Sequence, residues 1–468
     1  MATRWGARSG PAAASAVGVA LTAVLTLVTG TGRTLADAAA VDGRRESAGP
    51  VVRVLTVDNP QMVDLRRLTE REFTPRTGIR VVFDTRPENE LRRAAAAELR
   101  EHADAHDVIS LGSYDLQVFA ADGWLQDLDD VYGDPAFASA DLLASVRASV
   151  TGADGRPYGV PFYGESSMLM YNREAARAAG VTVPDAPTWD DVAALAARMD
   201  GALPGMRGIC LRGLPGWGQM MAPLMTVVNT FGGTLFDAAW RPRLTDPAFV
   251  DAVSFYVDLI RRHGDPGSPQ AGYTECLRAM AEGRVALWYD STAGAGILED
   301  PDVSRVAGEV GYAAAPVRRT ASSGWLWTWA WSLPRASTPD ADALRFVSWA
   351  GSAEYESLAG QRLGWSRVPA GKRASTYARP EYAAQPFAAR TLRAITAADP
   401  RRAGVQERPY AGIQFVPVPE FADLATDISQ HVSAVLVGTA GLRESLASVQ
   451  PVAERVGQRH RDTVEAGR

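Results

Sequence analysis

Three kinds of residue in this chain have chemistry worth testing against known patterns: adjacent acids, a close pair of histidines, and glycine-rich turns beside hydroxyl or cationic groups. Asp129–Asp130 and Asp190–Asp191 are the paired carboxylates. Glycoside hydrolysis needs two carboxyl groups facing each other across the scissile bond. Neighbouring acids at a turn or helix start are read instead as caps. His102 and His106 stand four apart, a spacing that can hold a metal, but the intervening Ala-Asp-Ala supplies no catalytic glutamate, and the pair is read as a solvated helix end. Ala370-Gly371-Lys372-Arg373 places arginine where a phosphate-binding loop requires Ser or Thr, so the chain is not an ATPase. Gly213–Gly218 (GLPGWG) is not a dinucleotide fingerprint, and Gly164–Met168 (GESSM) lacks the final glycine of a nucleophile elbow. No catalytic residue, metal or cofactor is assigned, and an enzyme is not expected.

The scaffold that must position any site is large. A chain of 468 residues exceeds one simple core and suits two domains. A net charge of -6 without a long basic run excludes nucleic acid as a partner. Lys372 is the only lysine, which is read as coding bias without functional weight. Arg4 and Arg8, the apolar run Ala12–Val28, and the small residues Ala36, Ala38 and Ala40 together read as a secretory signal over residues 1–38, followed by a linker over 39–50. An uncleaved anchor is the alternative. The expected location is exported, periplasmic or at the cell surface, with no cysteine near the cleavage region for lipid attachment. Export permits a disulfide between Cys210 and Cys276. A bonded pair and two buried thiols both remain open.

Apolar runs alternate with helical spacing. Val51–Val57, Ile79–Phe83 and Asp107–Leu111 read as strands, with helices at Gln61–Phe73 and Asn89–Arg100 between them. Ser167–Tyr171, Met206–Leu211 and Val285–Tyr289 form a second set, with helices beginning at Thr188 and running over Phe249–Arg262. This alternation predicts parallel sheets covered by helices on both faces. Ala422–Val437 is the last clear helix, and Arg401–Pro419 reads as a long connection.

Tyr158–Tyr171 (YGVPFYGESSMLMY), continuing through Asn172 and Arg173, resembles the interlobe crossover of extracellular solute-binding proteins of the sugar-binding type, which serve ABC importers. Thr188–Asp191 (TWDD) and Gly283–Trp288 (GRVALW) are similar to further motifs of that family. Gly208–Gly218, Val227–Gly233, Gln270–Cys276, Leu287–Ser291, Ser322–Trp331, Leu363–Thr376 and Gly412–Phe415 look like its mannitol/sorbitol-binding branch. The resemblance spans about Val51 to Val456. It implies a two-lobed periplasmic-binding-protein-like α/β fold, each lobe a mainly parallel sheet flanked by helices, with crossovers between them. Lobe 1 is drawn over 51–158 plus about 331–380, and lobe 2 over 159–330 plus about 381–468. The implied function is capture of a linear sugar alcohol by hinge closure and its delivery to membrane permease subunits by a monomer. A cyclic mono- or disaccharide is the alternative ligand. A secreted carbohydrate-active enzyme is the alternative from another class.

Ligands of open α/β sheets sit at the carboxyl ends of strands, and the candidate ligand residues follow that rule. Asp290 ends the strand VALWY and is expected to accept two hydroxyl hydrogen bonds. Arg212 follows the strand containing Cys210 and offers a planar fork. Tyr163 and Glu165 lie at the crossover, and Asn59 follows the first strand. Trp217 lies in a Gly/Pro loop, and Trp365 with Arg367 lies between helices. Trp325, Trp327, Trp329 and Trp331 alternate along one strand. Their side chains are expected to divide between two faces, at least two in the core, with Trp325 and Trp327 the cleft candidates.

Overall fold

The computed structural model describes residues 49–337 and 340–466. The signal segment and most of the linker lie outside them. Among the described residues the strands are β1 (Val51–Val57), β2 (Arg80–Arg86), β3 (Val108–Gly112), β4 (Val160–Glu165), β5 (Ser167–Asn172), β6 (Arg207–Cys210), β7 (Val285–Ser291), β8 (Val310–Ala314) and β9 (Trp327–Ser332). They form two sheets, ordered β2-β1-β3-β9-β4 and β6-β7-β5-β8. Helices pack on both sheets: Glu88–Glu101 and Ala341–Ala350 lie against β1, Trp189–Met199 and Pro247–His263 against β6, and Tyr273–Ala281 against β7. This is the two-lobed α/β fold.

Pairing within the sheets is mixed, where mainly parallel sheets were expected. β1 runs parallel to β2 and β3, and β6 parallel to β7, but β9 opposes both β3 and β4, and β5 opposes both β7 and β8. The reason lies in the connections. β4 passes through Ser166 straight into β5, and the chain returns from β8 to β9. Each crossing strand enters its new sheet from the cleft end, so it runs against strands that point toward the cleft. Consequently Val160–Glu165 and Trp327–Ser332 both belong to the first sheet, beyond the lobe boundaries drawn from sequence at 158 and 331.

Local chemistry fixes the ends of several elements. Thr188 and Asp191 form a reciprocal capping box at the start of Trp189–Met199, which accounts for the second acid pair. Asn59 caps Pro60–Leu68 by accepting from the Met62 N–H at 3.0 Å, with Pro60 in the first turn where its missing N–H is harmless. His106 is half-buried against Glu98, with Nδ1 at 2.7 Å from Oε2, so it is not a solvated helix end. The described residues contain no helix long and apolar enough to cross a membrane.

Candidate functional site: a cavity between the two sheets

β1, β4, β6 and β7 all deliver their carboxyl ends to the gap between the sheets, where a cavity of about 490 Å³ opens. The first lobe contributes Asn59, Glu88, Arg92, Tyr163, Trp327 and Trp329. The second contributes Arg212, Trp217, Gln219 and Tyr273, and the crossovers add Glu165 and Trp325. Contacts across the gap join the walls directly: Asn89 Nδ2 donates to the Pro215 carbonyl at 3.1 Å, and Gln219 Nε2 donates to Glu88 at 3.0 Å.

Arg212 is the charged centre of the second wall. Its Nε and Nη2 donate to the two carboxylate oxygens of Asp290 at 2.8 and 2.5 Å, and Nη1 donates to the Gly218 carbonyl at 2.9 Å. Burial works against its charge, but Asp290 more than offsets this and raises the guanidinium further above its usual range. Three of the five guanidinium N–H donors are thereby used, which leaves two for a ligand. Asp290 itself does not line the cavity. It is 0% exposed, and its oxygens also accept from Ser291 N–H at 2.6 Å and Trp288 Nε1 at 3.2 Å. The carboxylate expected to touch the ligand instead holds Arg212, which lines the cavity.

The disulfide Cys210–Cys276 forms, with Cα atoms 5.5 Å apart. It ties the end of β6 to the helix Tyr273–Ala281, and so fixes two cavity residues, Arg212 and Tyr273, that flank the crosslink in sequence. The Gly213 and Leu214 N–H groups both donate to the Ala271 carbonyl, closing the same corner.

Glu165 lies at the crossover with Oε2 accepting from Ser291 Oγ at 2.6 Å. Burial dominates its titration and pushes the carboxyl up to about 8, with Ser291 and Arg212 opposing. At neutral pH it is therefore protonated, accepting from Ser291 and carrying a proton it can donate. The folded state keeps a proton that the unfolded chain, with an ordinary value of 4.5, gives up. Its contribution to stability is complete below that ordinary value and is lost as pH rises through about 8. Glu165→Gln is expected to flatten the fall in melting temperature between about pH 5 and about pH 9. An unaltered pH profile of thermal unfolding would show that Glu165 does not titrate there.

Behind Glu165, Asn59 Nδ2 donates to Tyr163 Oη at 3.0 Å, so these two cavity residues orient each other. Tyr273 Oη, Trp325 Nε1 and Gln414 Oε1 are shielded from solvent without a hydrogen-bond partner in the protein, and all three residues line the cavity. A buried polar atom without a partner is costly, and in this arrangement none of the three atoms is open to solvent in the cavity.

The tryptophans correct the sequence reading. Residues two apart on a strand share a face, and Trp325, Trp327 and Trp329 all line the cavity. Trp331 alone turns into the core, against Phe162 and Phe346. Of the other candidates, Asn59, Tyr163, Glu165, Arg212 and Trp217 come together in the cavity, and Trp365 and Arg367 do not. Arg367 bridges Asp64 and Asp300 at 2.7 and 2.6 Å, and Trp365 packs on Gly360 beneath the Arg379 guanidinium. Sequence reasoning missed Glu88, Arg92, Tyr273 and Gln414. Tyr273 and Gln414 sit inside two of the motifs quoted above. Glu88 and Arg92, spaced four apart just after β2, carried a helical pairing signal.

The bacterial extracellular solute-binding protein family model matches residues 59–357. A mannitol-binding protein of Pseudomonas aeruginosa is 34% identical over 398 residues, 85% of this chain and 91% of the relative. An ABC transporter solute-binding protein of Agrobacterium vitis S4, solved with bound D-mannitol, superposes with TM-score 0.85 at 36% identity, covering 88% of this chain and 99% of that one. A solute-binding protein of Agrobacterium radiobacter K84 in complex with ribitol shares the fold, with TM-score 0.77 at 21% identity over 87% of this chain and 99% of that one. Match, fold and cleft agree: the chain belongs to the bacterial extracellular solute-binding protein family.

Proposed function

We propose that this chain is the extracytoplasmic binding component of an ABC importer and captures a linear sugar alcohol such as mannitol, sorbitol or arabitol. It acts as a monomer, without catalysis, and hands the ligand to the permease subunits. Residues 1–38 serve as its export signal. The observation that carries this reading is a cavity walled by both lobes and lined by hydrogen-bonding residues, among them Arg212, Gln219, Tyr273 and Gln414. Similarity to the mannitol-binding relatives supports the choice of ligand. Arg212, Glu165, Tyr163, Asn59, Trp217, Trp325 and Trp327 are the proposed contact residues. Because contacts come from both walls, ligand binding stabilises the closed arrangement.

A thermal-shift screen tests the ligand class. Mannitol, sorbitol or arabitol at about 100 times its Kd should add roughly 2.7 kcal/mol of stability. Shifts with cyclic sugars and none with any linear polyol would overturn the proposal.

A further inference from the structure

Tryptophan faces in a sugar site usually offer a flat apolar platform to the C–H face of a pyranose ring. Here a single guanidinium sits among three of those rings and lies directly against Trp217. The Arg92 Cζ lies 3.8 Å from the Trp217 ring centroid, 5.2 Å from that of Trp327 and 5.1 Å from that of Trp329. Trp325 has the Arg212 guanidinium at 5.9 Å. All four distances fall within the range of cation–π attraction. We infer that Arg92 is a specificity-determining residue that occupies the aromatic platform of the cavity and thereby excludes ring-stacking sugars in favour of open-chain polyols. This rests on the reading of the cavity as a polyol site.

Arg92 is held so that it cannot swing aside. Nη1 donates to Asp115 at 2.6 Å, while Nε and Nη2 donate to Glu88 Oε1 at 3.1 and 2.7 Å. The other Glu88 oxygen accepts from Gln219 of the opposite lobe at 3.0 Å. Gly218 completes the fit, because a Cβ there would lie 2.5 Å from Glu88 Oε1 and 2.7 Å from Arg92 Nε. The loop carrying Trp217 can approach the arginine only because residue 218 has no side chain. A pyranose would have to displace the guanidinium from Trp217, breaking charge-assisted bonds to two nearly buried carboxylates. A linear polyol needs no such face and binds through hydrogen-bonding groups of the cavity lining such as Arg212, Tyr273 and Gln414.

Calorimetric titration of wild type, Arg92→Ala and Arg92→Lys with D-mannitol, D-sorbitol, methyl α-D-glucopyranoside and maltose tests this. Lysine keeps a positive charge for Glu88 and Asp115 but loses the planar cover, so it serves where alanine fails to fold. Wild type is expected to prefer polyols over both cyclic ligands by at least about a hundredfold, or ~2.7 kcal/mol. The folded variants are expected to narrow that ratio at least tenfold, with cyclic ligands gaining affinity in absolute terms. A ratio unchanged in folded variants, or a loss shared equally by all ligands, would overturn the inference while leaving polyol binding intact. A wild type that binds the cyclic ligands as well as the polyols would overturn it directly. A wild type that binds no polyol would remove both this inference and the function on which it rests.

Discussion

Asp290→Ala is expected to cost the ligand-free protein about 3–5 kcal/mol of stability and to remove measurable polyol binding. The sequence reading made Asp290 a direct acceptor for ligand hydroxyls, a role that concerns binding and not the fold. The geometry reverses that expectation. Asp290 is fully buried and supplies two of the three acceptors of Arg212, whose side chain is only 6% exposed. Its loss leaves a guanidinium in the interior with the Gly218 carbonyl as its remaining acceptor. Affinity falls because Arg212 is no longer aimed, not because a ligand contact is deleted. Asp290→Asn keeps the shape but not the charge and should lie between wild type and alanine on both measures. Urea unfolding of the ligand-free proteins, with titration of D-mannitol into each, separates the two effects. An unchanged unfolding midpoint for Asp290→Ala would mean that Arg212 does not depend on this pair.

Lys372→Met should destabilise the fold by about 3–5 kcal/mol although it lies outside the cavity. Lys372 is completely buried, with Nζ at 2.7 Å from Glu356 and donating to the Phe162 carbonyl at 2.7 Å. Burial lowers its pKa, and Glu356 works in the opposite direction to keep it charged. Glu356 also accepts from Thr376 and is 2% exposed, so removing the ammonium strands a carboxylate in the core. The segment matters because it braces the crossover: the Gly164 N–H donates to the Ala370 carbonyl, and Gly371, at φ +86°, lies so close to the Gly164 carbonyl that a Cβ would come within 1.8 Å of it. Adding Glu356→Gln to Lys372→Met is expected to restore at least half of the lost stability, since a fully apolar or neutral replacement of a buried pair is tolerated better than half of one. Equal stability of the single and double mutants in chemical denaturation would contradict this account of the pair.

Lys372 marks one limit of what the sequence conveys. As the only lysine it looked like an accident of composition, and only folding brings it to Glu356 and Phe162. The strands VVRVLTV, interrupted only by Arg53 and Thr56, and VALWY were legible because apolar runs of that length suit strands covered on both faces. The helix Met221–Phe231 was missed although Thr226, Asn229 and Thr230 stand at helical spacing, because Pro223 interrupts the run and every residue from Pro223 to Phe231 is buried, its polar side chains hydrogen-bonded inside the protein rather than to water. The helix Leu442–Ala466 was hidden by Pro451 and Gly457, both breakers by propensity. Gly457 is there for a tertiary reason: a Cβ would lie 2.0 Å from the Trp240 carbonyl. In the site, the strand-end rule pointed to Arg212 and Asn59, and both line the cavity. It could not tell which carboxylate lines the cavity and which stands behind it, because that depends on a pairing between residues 78 apart. Arg367 was misplaced for the same reason, since its partner Asp64 lies 303 residues away.

The most direct test of the central claim is equilibrium titration of purified protein with isotopically labelled D-mannitol, followed by recovery and chemical identification of the ligand. Saturation at one ligand per chain, with mannitol recovered unchanged after dilution or unfolding, is the predicted result. Absence of saturable binding, or recovery of a chemically altered product that depends on the protein, would contradict it.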